Sequence, residues 1–128
     1  MKNLLSILVL FLFVSCQNSS SPSGQAIVSE AGYSNVTNEE FKKLTTKSNT
    51  IILDVRTPKE TSRGVIPGAI KLDYKDKGFA SGLDELDKSK AYLVYCHAGG
   101  RSANACKMMK EKGFSKLYNL DGGYVGWD

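Results

Sequence analysis

Short apolar runs separated by polar segments dominate the chain from about residue 33 onward. The runs over residues 51–55, 91–95 and 116–120 are bounded by polar residues and have the length of β-strands. A further strand is expected over residues 69–72, after a Pro-Gly turn. We expect the runs over 51–55 and 91–95 to be buried on both faces, as strands of a parallel sheet usually are.

Helical patterns lie between these runs. Thr37 is followed three residues later by Glu40, the spacing of a capping box, which predicts a helix ending at about Thr46. A short helical piece is expected over residues 83–86 and a longer helix over residues 102–112. The alternation of strands and helices predicts an α/β fold with a central, mostly parallel sheet flanked by helices.

The first residues follow a different pattern. Lys2 precedes an apolar run over residues 4–14, which is shorter than the ~20 residues that a membrane-spanning helix needs. A charged start and a short apolar core are typical of a secretory signal peptide. The next letters, "FVSC", resemble the lipobox of bacterial lipoproteins, with Phe13 where leucine is usual. The resemblance implies a signal peptide over residues 1–15 and lipid modification of Cys16; the alternative is an ordinary cleaved signal.

The segment over residues 16–32 is rich in serine and resembles a tether, so the folded domain is expected over residues 33–128. The expected location is the bacterial cell envelope, on the periplasmic side of a membrane, with the lipid as the only membrane contact. This export would leave two thiols, those of Cys96 and Cys106, in the mature chain.

Composition adds limits to this organisation. The chain has 128 residues, 41% of them hydrophobic and 23% charged, which fits one globular domain. Its net charge is +4, but lysines alternate with acidic residues, so no basic stripe indicates a nucleic-acid partner. No cluster of histidines or cysteines has the spacing of a metal site, and the sequence predicts no cofactor.

The candidate chemistry lies in "AYLVYCHAGGRSA", residues 91–103. Cys96 follows a predicted strand, and catalytic loops of α/β folds lie at the carboxyl ends of strands. Only the thiolate is a good nucleophile. Three features favour it: the start of the next helix, an anion-binding nest permitted by Gly99 and Gly100, and the permanent charge of Arg101. The pattern therefore predicts a site that holds an anion on or beside the sulfur, with a lowered Cys96 pKa.

The loop "CHAGGRS" resembles the active-site loop of rhodanese-like sulfurtransferases. Three other segments are similar to signatures of that family and occur in the same order: "LDVRTPKE", "GVIPGAI" and "YNLDGGYVGW". Together they span most of residues 33–128.

The resemblance implies a single-domain sulfurtransferase in which Cys96 attacks a sulfane sulfur and carries it as a persulfide. The donor would be a small anion such as thiosulfate, and the acceptor cyanide, a small thiol or a protein thiol. Arg101 would hold the loop and attract the donor, whereas Asp54 and Arg56 match positions expected to be structural. The backbone amides that would cradle the persulfide belong to His97, Ala98, Gly99, Gly100 and Arg101, and Ser102 supports them.

Several alternatives stay open on sequence grounds. Relatives of this fold that act on phosphate or arsenate have five residues between cysteine and arginine, whereas this loop has four, which favours a bound sulfur atom. A tethered persulfide carrier without catalysis is a second alternative.

Cys106 shares a predicted helix face with Ala103 and Met109, which indicates packing, although a resolving thiol in a redox domain is the other interpretation. His97, where arginine or lysine is frequent, is either a donor-binding or a solvent-facing residue. Val125 and Trp127 are expected to pack in the core or at the C-terminus.

Overall fold

The computed structural model describes residues 31–128; Cys16, the predicted signal peptide and nearly all of the predicted tether lie outside these residues. A single sheet of five parallel strands runs through this part of the chain, in the order β1-β5-β4-β2-β3. The predicted α/β class with a mostly parallel sheet is confirmed. The strands are β1 (Ser34–Val36), β2 (Thr50–Asp54), β3 (Ile70–Lys71), β4 (Ala91–Tyr95) and β5 (Lys116–Leu120).

Four α-helices connect the strands and cover the sheet. They are α1 (Asn38–Thr45), α2 (Pro58–Thr61), α3 (Phe79–Asp84) and α4 (Gly100–Glu111), and a 3₁₀ turn over Tyr124–Gly126 follows β5. The predicted capping box at α1 is confirmed, because the Thr37 hydroxyl accepts from the Glu40 amide while the Glu40 carboxylate accepts from the Thr37 amide.

The middle of the sheet separates two apolar cores. Along β4, Tyr92 and Val94 pack on one face, whereas Leu93 and Tyr95 pack on the other. This alternation is the two-residue period of a strand with both faces covered, so the prediction of a doubly buried strand is confirmed for β4. Cys96 lies on the same face as Tyr92, next to the buried face of α4.

The structure corrects three expectations. The first half of β2 is only half-buried, because β3 pairs with its last two residues alone. The helix expected at residues 83–86 lies earlier, over Phe79–Asp84, where Phe79 and Leu83 are the buried pair. Ala103 is half-buried but packs against the same core cluster as Cys106 and Met109, in line with the expectation, and Ser102 is buried on α4 as well. The side chain of Val125 is exposed, since its segment runs over the outside of the loop; Trp127 does pack, edge to face, on Phe41.

Within residues 31–128, no helix has both the length and the apolar character needed to cross a bilayer. This same part of the chain contains no group of three or more histidine, cysteine, aspartate or glutamate side chains that could hold a metal ion.

Candidate functional site

The Cys96 loop starts where β4 ends and finishes in the first turn of α4. Its backbone is bound to the C-terminal segment, residues 121–128. The amide of Tyr124 donates to the carbonyl of Cys96 at 2.8 Å, and the amide of Val125 donates to the carbonyl of His97 at 3.0 Å. Gly123 lies against this part of the loop with a φ of +67°, and a Cβ atom there would overlap the His97 carbonyl. The C-terminal segment thus fixes the direction of the loop.

Donors converge on the Cys96 sulfur. Gly99, at a φ of +104°, directs its amide at the sulfur with an N–Sγ distance of 3.0 Å, a conformation that glycine adopts without strain. The Ser102 hydroxyl lies 3.3 Å from the same sulfur and 3.1 Å from the Gly99 carbonyl. A left-handed residue followed by the start of a helix forms the concave arrangement of N–H groups that binds anions.

These donors determine the charge of the thiol. Burial is the largest single influence and raises the pKa of Cys96, whose exposed fraction is 1%. Hydrogen bonds from the Ser102 hydroxyl and from the amides of Ser102, Gly99 and Ala98 outweigh it, so the pKa lies below its ordinary value. The lowered pKa agrees with the sequence prediction: the local donors are the largest lowering influences on Cys96, and the nearby charge of Arg101 also favours the thiolate.

We expect the rate of alkylation of Cys96 to show a pH midpoint below that of a free thiol, about 8.5. A thiol whose pKa is lower in the folded protein stabilises it fully above the unfolded pKa, and the contribution disappears as pH falls through the folded pKa. The free energy of unfolding of the wild type should therefore rise relative to Cys96→Ser as pH rises between these values. A midpoint at or above that of a free thiol would contradict the prediction.

Cys106 lies on the core face of α4 in the same apolar cluster as Cys96. Burial, and then the nearby charge of Cys96, raise the pKa of Cys106 to about 12. A thiol that stays protonated at neutral pH is a poor nucleophile. The structure therefore favours the packing interpretation of this residue.

The side chain of Arg101 binds Glu60 on α2. Two parallel hydrogen bonds, at 2.8 and 2.7 Å, join the guanidinium to the carboxylate. The Arg101 contact holds the pKa of Glu60 well below its usual range, even though burial opposes it. Glu60 also caps α2 by accepting from the amide and the hydroxyl of Thr57. Arg101 thus links the loop to α2, and its charge is paired with the Glu60 carboxylate.

A buried ion pair lies beneath the site. Arg56 binds the Asp54 carboxylate through Nε and Nη2, with the shortest distance at 2.7 Å, and donates from Nη2 to the carbonyl of Gly64. The Tyr95 hydroxyl donates to the same carboxylate at 2.6 Å and accepts from the Ile66 amide. The guanidinium also stacks on the ring of Tyr124, 4.0 Å from its centroid. The pair therefore joins β2, β4 and the C-terminal segment.

A cleft of about 260 Å³ opens beside the loop. Small-molecule sites usually have about 300–1,000 Å³, so this volume suits a small ligand. His97 lines this cleft, and His97, Ala98 and Gly100 are all exposed on the loop surface. The lining residues are Arg56, Glu60, Arg63, His97 and Tyr124.

Sequence reasoning did not single out Glu60, Arg63, Tyr95 or Tyr124. The sequence does carry a signal for Glu60, because Thr57 and Glu60 have the same capping-box spacing that predicted α1. No comparable local pattern marks the other three, whose roles depend on contacts between distant parts of the chain.

Residues 37–128 match the family described as the rhodanese-like domain. The chain belongs to the rhodanese-like domain family. Among curated rhodanese-like relatives, the putative sulfurtransferase YtwF of Bacillus subtilis is 34% identical over 87 residues, which are 68% of this chain and 82% of that protein. The thiosulfate sulfurtransferase GlpE of Shewanella oneidensis is 30% identical over 88 residues, 69% of this chain and 85% of that protein.

A solved structure agrees with this assignment. The rhodanese-like domain protein of Staphylococcus aureus has a TM-score of 0.65 and 30% sequence identity, and the match covers 73% of this chain and 90% of that one. The Cys96 loop is therefore the candidate active-site loop of a rhodanese-like domain.

Proposed function

We propose that this protein is a sulfurtransferase that moves a sulfane sulfur from a thiosulfate-like anion to a thiophilic acceptor through a persulfide on Cys96. The observation that carries the proposal is the cradle of donors around the Cys96 sulfur, including the Gly99 amide at 3.0 Å. The names of relatives, sulfurtransferase and thiosulfate sulfurtransferase, support the same class of reaction.

The first half-reaction is a displacement at sulfur. The Cys96 thiolate attacks the outer sulfur of thiosulfate, a new S–S bond forms, and the S–S bond of the donor breaks with its electron pair leaving on sulfite. The product on the protein is a persulfide anion. The N–H of Gly99 and the O–H of Ser102 contact the Cys96 sulfur, where they favour the thiolate that attacks and that is regenerated after transfer.

The second half-reaction restores the negative charge on the cysteine sulfur. An acceptor such as cyanide attacks the outer sulfur of the persulfide and leaves as thiocyanate, and the bonding pair returns to Cys96 as a thiolate. No oxidant or reductant is consumed. Because the two substrates react in turn with one thiol, the kinetics should be ping-pong.

Mass spectrometry of the purified protein after incubation with thiosulfate tests the proposal. We expect one added sulfur atom on the peptide that contains Cys96 and none on the peptide that contains Cys106. Cyanide should remove this sulfur, and Cys96→Ser should not acquire it. A wild type that acquires no sulfur, or that instead hydrolyses aryl phosphates efficiently, would contradict the proposed class.

We also propose that the protein is exported and held at the membrane by a lipid on Cys16, as "FVSC" indicates. In its native host, Cys16→Ala should move the protein from the membrane fraction to a soluble or unprocessed form. Ser15→Ala, which keeps a small residue before the cysteine, is the matched control and should stay with the membrane. A wild type found entirely in the soluble fraction would refute the anchor.

A further inference from the structure

The cleft beside the Cys96 loop contains more positive than negative side chains. Arg56 and Arg63 line it together with one acidic residue, Glu60, and with His97. Positively charged clefts raise the local concentration of anionic ligands.

Ion pairs neutralise most of the charges that line this cleft. Arg56 is bound to the buried carboxylate of Asp54 at 2.7 Å. Glu60 is bound to Arg101 at 2.7 Å. Among the ion pairs formed by residues 31–128, none includes Arg63. Arg63 is therefore the arginine of this cleft whose charge has no carboxylate partner within the described part of the chain.

A backbone contact with the end of α2 fixes the position of Arg63 in the chain. Its amide donates to the carbonyl of Glu60 at 3.2 Å, in the turn that ends α2, and its side chain is exposed. Glu60 in turn is joined to the loop through Arg101. The turn that ends α2 thus places the backbone of Arg63 next to Glu60, which braces the loop, and Arg63 lines the cleft together with His97 of that loop.

We infer that Arg63 is the donor-binding cation of this protein, and that it binds the anionic end of the sulfur donor at the cleft. This inference rests on the proposed function for the identity of the donor. Arg101, whose two outer nitrogens already bind Glu60, braces the loop and does not bind the donor. A guanidinium binds oxyanions of this kind through two parallel hydrogen bonds, which favours a donor with a sulfonate-like end.

Kinetics of transfer from thiosulfate to cyanide test the inference. Arg63→Gln should raise the KM for thiosulfate about fivefold, the size expected for a solvent-screened contact between charges, while kcat stays near the wild-type value. Arg63→Lys should lie between the two, since it keeps the charge and loses the fork. Added salt should weaken the difference between wild type and Arg63→Gln.

Lys59→Gln is the matched control. Lys59 is exposed on α2, four residues before Arg63, takes part in none of the ion pairs within residues 31–128 and does not line the cleft. The substitution Lys59→Gln removes one positive charge from the same part of the surface as Arg63→Gln, so it measures the effect of net charge alone. Equal KM values for Arg63→Gln and Lys59→Gln, or a fall in kcat at unchanged KM, would overturn the inference.

A binding measurement separates this inference from the proposed function. Thiosulfate binding is measured by calorimetry on Cys96→Ser, which cannot form the persulfide, and on Cys96→Ser combined with Arg63→Gln. The second variant should have an about fivefold higher Kd. If wild type never acquires sulfur but this difference is present, the transfer proposal fails and the anion site stands. If wild type acquires sulfur and the two Kd values are equal, the anion site fails and the transfer proposal stands.

Discussion

Cys96→Ser will lose sulfur transfer from thiosulfate to cyanide by about 10³-fold or more, because the variant has no group that can form a persulfide. A serine hydroxyl at this position keeps the contacts of Gly99 and Ser102 but stays protonated at neutral pH. The variant should remain folded, so the loss is one of chemistry. Steady-state assay of thiocyanate formation, with circular dichroism as the check on folding, measures this effect.

The matched control is Cys106→Ala, which removes the other thiol of the described residues. Alanine is preferred to serine there because a hydroxyl at this fully buried position would be left without a partner. Most of the activity should remain, since the pKa of Cys106 is raised to about 12 by burial. An equal loss in both variants would replace the single-thiol mechanism by one that uses a disulfide between the two cysteines.

Breaking the buried pair of Asp54 and Arg56 will cause the largest loss of stability. Both side chains are almost completely buried, so Arg56→Met leaves the Asp54 carboxylate without its cation. Removing one partner of a buried ion pair typically costs about 3–5 kcal/mol, a large part of the about 5–15 kcal/mol that stabilises a domain. Urea unfolding should show this decrease.

An exposed ion pair provides the comparison. Lys112 and Asp84 lie 2.9 Å apart, but their side chains are partly exposed, so solvent screens the pair and Lys112→Met should cost much less stability than Arg56→Met. The double variant Asp54→Asn with Arg56→Met should lose less stability than the two single variants lose in total. In the double variant no charged side chain is left buried without a partner at positions 54 and 56. A decrease for Arg56→Met as small as that for Lys112→Met would contradict the structural role of the buried pair.

Local patterns were enough to predict most of the elements around the site. The capping box at Thr37 predicted α1, and the apolar run over residues 91–95 coincides with β4. In contrast, β1 has three residues, and only its pairing with β5 makes it a strand, so no pattern of its own could mark it. The two-residue β3 is likewise shorter than the predicted run over residues 69–72.

The same contrast between local patterns and long-range contacts applies to the candidate site. The sequence predicted the position of Cys96 at a strand end and the lowered pKa, because strand, glycines and helix start are adjacent in the chain. It did not predict that Arg101 would be paired with Glu60, which is 41 positions away. A charge counted from sequence is available to a ligand only if the fold leaves it unpaired, and this depends on contacts that the local sequence does not contain.

The place of β5 in the sheet has a consequence for folding kinetics. β5 lies between β1 and β4, and Asn35 of β1 bonds to Asn119 of β5 across a separation of 84 positions. Pairings of such long range form slowly, because the entropy of closing the loop is lost before the contacts form. β1 therefore cannot join the sheet until β5 is present. The residues that follow β5, Tyr124 and Val125, also supply the amides that orient the Cys96 loop. During refolding, recovery of a reactive Cys96 should coincide with the slowest step of sheet formation and not precede it.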